Sequence, residues 1–157
     1  MENAPFFIDT EVIRLTRNGV WMSDQTEITH EPTRRLFARN LERVPGADRQ
    51  YLIKISRESK TIEVEDTAYF VQRIDGTPET GFEITLNDGN QEKLNFQSLK
   101  YQPGRLTCSV ERRGFTEEAK FLSTAYMDLL TYLKEDETSY FLETGGSNRA
   151  RIALSKK

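Results

Sequence analysis

One cysteine and one histidine are all the sulfur and imidazole ligands available in a chain of 157 residues. Cys108 alone cannot form an intramolecular disulfide. With His30 far from it in sequence, a zinc site of the usual Cys/His kind is excluded, so no metal and no cofactor is expected. No G-x-S-x-G elbow and no glycine-rich phosphate loop is present, which removes two common catalytic frameworks. No stretch approaches the roughly 18 apolar residues that span a bilayer. The N-terminal stretch MENAPFFIDTEV also lacks the basic region and apolar run of a signal peptide. The expectation is a reduced, cytoplasmic, soluble protein with no membrane partner. A basic excess is missing as well. With 22 Lys and Arg against 25 Asp and Glu the net charge is −3, which argues against a general nucleic-acid binder.

Aromatic residues, by contrast, are plentiful. Nine Phe, six Tyr and one Trp are far more than a disordered chain carries. A chain of this length buries roughly 68–70% of its unfolded surface and folds unaided. It is most simply one domain, or two small lobes sharing a core at about 1–75 and 76–157. The charge is uneven: residues 61–100 hold 3 basic and 8 acidic side chains, while the flanking segments are nearly balanced.

Short alternating segments bounded by turn residues dominate the rest. Glu11–Thr16 and Val20-Trp21-Met22 flank Asn18-Gly19, a hairpin signal for a type I′ turn. Thr29 as a capping residue and Pro32 in the first turn predict a helix running to about Val44, before Pro45-Gly46. Strands follow at 50–56, 61–65, 69–74 and 82–86, with a loop at 75–81. A second hairpin signal, 87–90, leads to a return strand at 93–96. Leu106, Cys108 and Val110 alternate inward on a further strand, so Cys108 reads as a small buried hydrophobe. Thr116-Glu117-Glu118 has the form of a helix start, and Leu122, Ala125, Tyr126, Leu129, Leu130 and Leu133 a core-facing stripe. Strands at 139–142 and 149–154 enclose Gly145-Gly146-Ser147, a turn rather than a phosphate cradle. Both ends run strands, one helix and two strands. The expected class is α+β, antiparallel sheet with two main helices, in a single domain or as two related β-α-β lobes.

Among the charged residues, Arg35, Arg39 and Arg43 recur every four positions and would form one row of guanidiniums on the first helix. Such a row can receive phosphates or an acidic partner through bidentate forks, or serve as a solvated face balanced by Glu31 and Glu42. Trp21 is a core anchor or an exposed ligand platform, the former favoured. Glu65 and Asp66, side by side after an alternating strand, point to opposite faces unless the chain bends between them. They serve as a polar strand end or, with His30, as an acid/base set.

Asn18-Gly19-Val20-Trp21, Arg35-Leu36-Phe37, Tyr51-Leu52-Ile53, the run Ile62 to Phe70 and Phe115-Thr116-Glu117-Glu118-Ala119-Lys120 together resemble the bacterial family of domain of unknown function 1285. The resemblance covers nearly the whole chain, through short and mostly structural motifs. The chain departs from the family pattern in three places. Lys54-Ile55-Ser56 stands where a threonine-proline step is usual, Tyr69 stands where a proline precedes the phenylalanine, and a histidine-proline-leucine run is missing. The resemblance implies a compact α+β fold with repeated motifs and no catalytic residues to transfer. The function expected is a non-catalytic binding or regulatory module recognising a protein partner or a small anionic ligand. The alternatives are a small hydrolase or transferase using Glu65, Asp66 and His30, and a self-associating structural module.

Overall fold

Alternation of apolar and polar side chains suits a half-buried strand, and strands make up about half of the described residues. The structure, a computed structural model, describes residues 7–8, 10–48, 50–145 and 148–154. It divides into two compact units, Met1–Ala68 and Tyr69–Lys157. The division falls before β7 (Tyr69–Thr77) and not near residue 75, because β7 is one unbroken strand paired along its length in the second unit's sheet.

The first unit holds β1 (Ile13–Leu15), β2 (Trp21–Ser23), β3 (Thr26–Glu27), α1 (Glu31–Arg39), β4 (Leu41–Arg43), β5 (Tyr51–Ile55) and β6 (Glu58–Val64), in the sheet order β3-β2-β1-β6-β5-β4. Ile13 and Leu15 point into the core with Arg14 outward between them. The β1–β2 hairpin forms at Asn18-Gly19, though not as a type I′ turn: only Gly19 has positive φ, and Thr16 N–H closes on Val20 O. This is the three-residue loop in which a type I turn ends on a left-handed residue. Helix α1 begins after His30, not Thr29, and is shorter than the sequence predicts. Asn40 ends it by donating its side-chain amide to Leu36 O at 2.7 Å. The chain then enters β4, where Leu41 is buried opposite Ile53. Burying Leu41 in a sheet outweighs continuing the helix.

The second unit comprises β7, β8 (Gly81–Leu86), β9 (Gln91–Lys93), a 3₁₀ turn (Phe96–Ser98), β10 (Lys100–Gln102), β11 (Arg105–Arg112), β12 (Phe115–Phe121), α2 (Ser123–Leu130), β13 (Lys134–Glu135), β14 (Tyr140–Gly145) and β15 (Asn148–Leu154). Its sheet order is β13-β14-β15-β10-β11-β12-β7-β8-β9. The expected helix start at Thr116-Glu117-Glu118 lies inside β12. Arg113 and Gly114, with φ of 51° and 83°, make a two-residue turn, after which Glu117, Ala119 and Phe121 face inward and Thr116 and Glu118 outward. A period of two therefore overrides the capping signal. The helix starts at Ser123, with Ala125 and Leu129 as its buried pair. The return strand of the 87–90 turn is Gln91–Lys93, earlier than 93–96, and the 75–81 loop shrinks to residues 78–80 because β7 and β8 extend into it. Gly146 and Ser147 lie outside the described residues.

One topological motif recurs. A three-stranded meander is followed by a helical link and a second meander, whose last strand pairs in parallel with the first strand of the first. In the first unit β6 lies parallel to β1, and in the second β12 to β7 and β15 to β10. The β10–β12 meander serves in both motifs of the second unit. This is the α+β architecture of related lobes that the chain's two similar halves predict.

Gly76 illustrates how tightly the β7–β8 hairpin is drawn. Its φ is +112°, and a Cβ there would stand 2.2 Å from Gly81 O, a backbone atom that cannot yield. At Gly104 the φ of +86° is similarly left-handed but the space is open. Gly76→Ala is expected to lower unfolding free energy by about 2–4 kcal/mol, against about 1 kcal/mol for Gly104→Ala, as read by urea denaturation.

Candidate functional site

The arginine row does not form. Arg35 and Arg39 lie on α1, whereas Arg43 lies on β4 because the helix has ended. Arg43 donates to the Tyr51 hydroxyl at 3.1 Å with its guanidinium 5.4 Å from that ring. Arg35 is paired with Glu31 at 3.3 Å, and Arg34 shares the same carboxylate. Trp21 is 2% exposed and packs edge-on to Phe37 with ring centroids 5.5 Å apart, so it offers no platform to a ligand. The chain bends at Glu65 and Asp66. Glu65 sits 3.6 Å from Arg14 and 3.9 Å from Arg17 and also accepts the Arg17 backbone N–H, which makes it the strap between the β1–β2 turn and the end of β6. His30 is exposed and meets Thr33 Oγ1 at 2.8 Å. Among the described residues no hydrogen bond or ion pair joins it to Glu65, whose ion-pair partners are Arg14 and Arg17.

Two further groups are structural. Arg112 is surrounded: its guanidinium donates to Asp88 at 2.8 Å, to Glu92 at 2.9 Å and to Glu111 O at 2.7 Å, and stands 5.3 Å from the Tyr69 ring. The Asp88 side chain is only 5% exposed, so this clamp ties the β8–β9 turn to the end of β11. Hydrogen bonds from Arg112 to Asp88 and Glu92 push the guanidinium's pKa up against the opposing effect of burial. Cys108 is 1% exposed among apolar side chains, and burial pushes its thiol up to about 12, which leaves no thiolate for nucleophilic work near neutral pH. Large exposed apolar side chains among the described residues are Ile8 and Val12 in the first unit and Met127 and Tyr132 in the second.

A cleft of about 960 Å³ opens in the second unit, lined by residues 78–81, 94–97 and 149–151 with Thr144. Each wall is held by local chemistry. The β7–β8 turn is braced by reciprocal bonds of Thr77 and Thr80, each backbone N–H donating to the other's hydroxyl at 3.2 Å. In the 94–97 wall, Asn95 caps the 3₁₀ turn by accepting from Gln97 N at 3.0 Å, and Ser98 Oγ accepts from Ser109 N on β11. Phe96 stands edge-on to Phe82 at 6.0 Å. The third wall is β15, whose residues 149 and 151 share one face, as alternate residues of a strand do. The Arg149 guanidinium lies 4.2 Å from the Phe141 ring and 4.0 Å from Asp136. Backbone N–H groups of Thr138 and Ser139 hold the Asp136 carboxyl below its ordinary range. Arg151 has no ion pair among the described residues. Within the sheet β10, β11, β12 and β7 intervene between β15 and β8, so the two meet at one cleft only because the sheet is curved. Local sequence periodicity carries no sign of this. The two arginines two apart on a late strand were the one available signal.

Among the described residues no group of three or more His, Cys, Asp or Glu is placed to hold a metal ion. No helix of the described residues is long and apolar enough to cross a membrane.

The meander–helix–meander architecture defines an α+β fold seen in bacterial proteins of the DUF1285 family, the same family that the short motifs resemble. Two crystal structures share it. The chain superposes on a DUF1285 family protein from Silicibacter pomeroyi DSS-3 with a TM-score of 0.65 and 16% identity, covering 90% of this chain and 79% of that one. It matches another from Shewanella baltica OS155 with a TM-score of 0.59 and 17% identity, covering 78% and 92% respectively. At these identities the likeness is one of fold. No family model matches the chain, and no curated protein matches it.

Removing Arg112 leaves Asp88 buried without its cation, so Arg112→Ala is expected to cost about 3–5 kcal/mol in urea denaturation. Cys108 gives a pH signature. From about pH 9, its ordinary value, the unfolded chain ionises the thiol while the folded chain holds its proton until about 12, so stability falls as pH rises through this window. The urea midpoint of Cys108→Ala should decline less steeply than that of the parent between pH 9 and 12; parallel curves would remove burial of the thiol as the cause.

Proposed function

We propose that the protein is a non-catalytic binding module of the bacterial cytoplasm whose ligand is a small anion held in the cleft of the second unit. The observation that carries this is Arg151, a guanidinium without a counter-ion among the described residues, lining a cleft of about 960 Å³ beside Arg149. That volume lies at the upper end of the roughly 300–1,000 Å³ of small-molecule sites. Arginine presents a planar fork suited to carboxylate or phosphate. Two such forks on one strand face offer more charge than Arg149's single contact with Asp136 neutralises. The lining supports binding over catalysis: among the described residues Glu79 is its single carboxylate, and it holds no histidine or cysteine. The buried, unpaired Cys108 supports a reducing compartment.

Calorimetric titration with inorganic phosphate, pyrophosphate, succinate and glutarate tests the proposal. At least one should bind, and Arg149→Glu and Arg151→Glu should each weaken that binding at least about ten-fold, Arg151→Glu with melting temperature nearly unchanged. Arg35→Glu on α1 should bind as the parent does. Unchanged affinity in both cleft variants, or a loss confined to Arg35→Glu, would overturn the assignment to the cleft.

A further inference from the structure

The cleft is not uniformly cationic. Glu79 stands at the tip of the β7–β8 turn, exposed and without an ion pair among the described residues, and it lines the same cleft as Arg151. The two opposite charges do not meet, since no pair within ion-pair distance joins them. A ligand carrying negative charge alone satisfies the β15 wall and is repelled at the turn; one carrying positive charge alone does the reverse. Neither wall can easily give way. Pro78 is buried and restricts its own backbone, and the Thr77–Thr80 bonds hold the turn around Glu79. Arg151 projects from a paired strand. Phe96, half-buried and braced on Phe82, adds an apolar surface to the same cleft.

We infer that the natural ligand is an elongated zwitterion, with an anionic group on Arg149 and Arg151 and a cationic amine on Glu79. The chemistry is that of an amino-acid-like molecule or a short peptide with free ends, whose linking atoms run past Phe96. This rests on the anion-binding role of the cleft and narrows it to one charge pattern. Simple dicarboxylates and phosphates would then be partial ligands, engaging the arginines alone. Glu79 acts here as a selectivity residue: it contributes attraction for the correct ligand and repulsion for a dianion of the same length.

An oligoglycine ladder varies the separation of the two charges without adding side chains. Di- to pentaglycine, the same peptides N-acetylated (anion only) and the same peptides C-amidated (cation only) are titrated calorimetrically into the full chain. One length should bind best as the free zwitterion, at least about ten-fold tighter than its acetylated or amidated form. Glu79→Gln should erase the advantage over the acetylated peptide while leaving acetylated-peptide affinity unchanged or improved. Equal affinity of free and acetylated peptides in the parent would overturn the zwitterion while leaving the anion site standing. Failure of the free peptides, the acetylated peptides, phosphate and the dicarboxylates alike to bind would overturn both. A preference for longer peptides over free ω-amino acids of matched length distinguishes a peptide from a small amino acid as the source of the zwitterion.

Discussion

A three-stranded meander leaves two edges of unpaired N–H and C=O groups, and the fold depends on how one edge of each meander is closed. The solution is the same three times: the last strand of a later meander lies parallel to the first strand of an earlier one, β6 on β1, β12 on β7 and β15 on β10. Each parallel pair joins strands far apart in the chain, so the intervening helical link must travel back across the sheet, and its apolar side is covered in doing so. In the first unit that link is α1, with Phe37 against Trp21. In the second it is α2 through Ala125 and Leu129, and the shorter 3₁₀ turn between β9 and β10.

The candidate site follows from this closure. Pairing β15 with β10 brings the Arg149–Arg151 face beside the 3₁₀ turn that leads into β10, and the curvature of a nine-stranded sheet brings the β7–β8 tip to the same place. Charges elsewhere have local work. Glu65 straps a turn to a strand end, and Arg112 neutralises a buried aspartate. A charge with a partner in its own neighbourhood stabilises the structure, whereas one facing a cleft without a partner is available to a ligand.

Much of the first unit's hairpin and the strands of both units is visible as alternation. Phe82, Ile84 and Leu86 are buried as their spacing demands, and Cys108 sits on the apolar face of its strand. The helices were harder. Thr116-Glu117-Glu118 has the composition of a helix start, yet Glu117, Ala119 and Phe121 face inward with a period of two, and pairing with β11 decides the matter. The run after Asn40 has helical spacing in its arginines, but Leu41 gains more from burial opposite Ile53 than Arg43 gains from a fourth helical turn.

Determined by the sequence alone were the class of fold, the faces of most strands, the hairpin turns at Asn18-Gly19 and 87–90 and the exclusion of disulfide and Cys/His zinc chemistry. These depend on neighbours within a few residues, where side-chain period and glycine's tolerance of positive φ leave a direct imprint. Left to the tertiary structure were the parallel pairings, the true ends of both helices and the choice of which arginines face an open cleft. Those depend on segments that meet only after the chain has folded back, and contacts between distant residues leave no period to read in a single sequence.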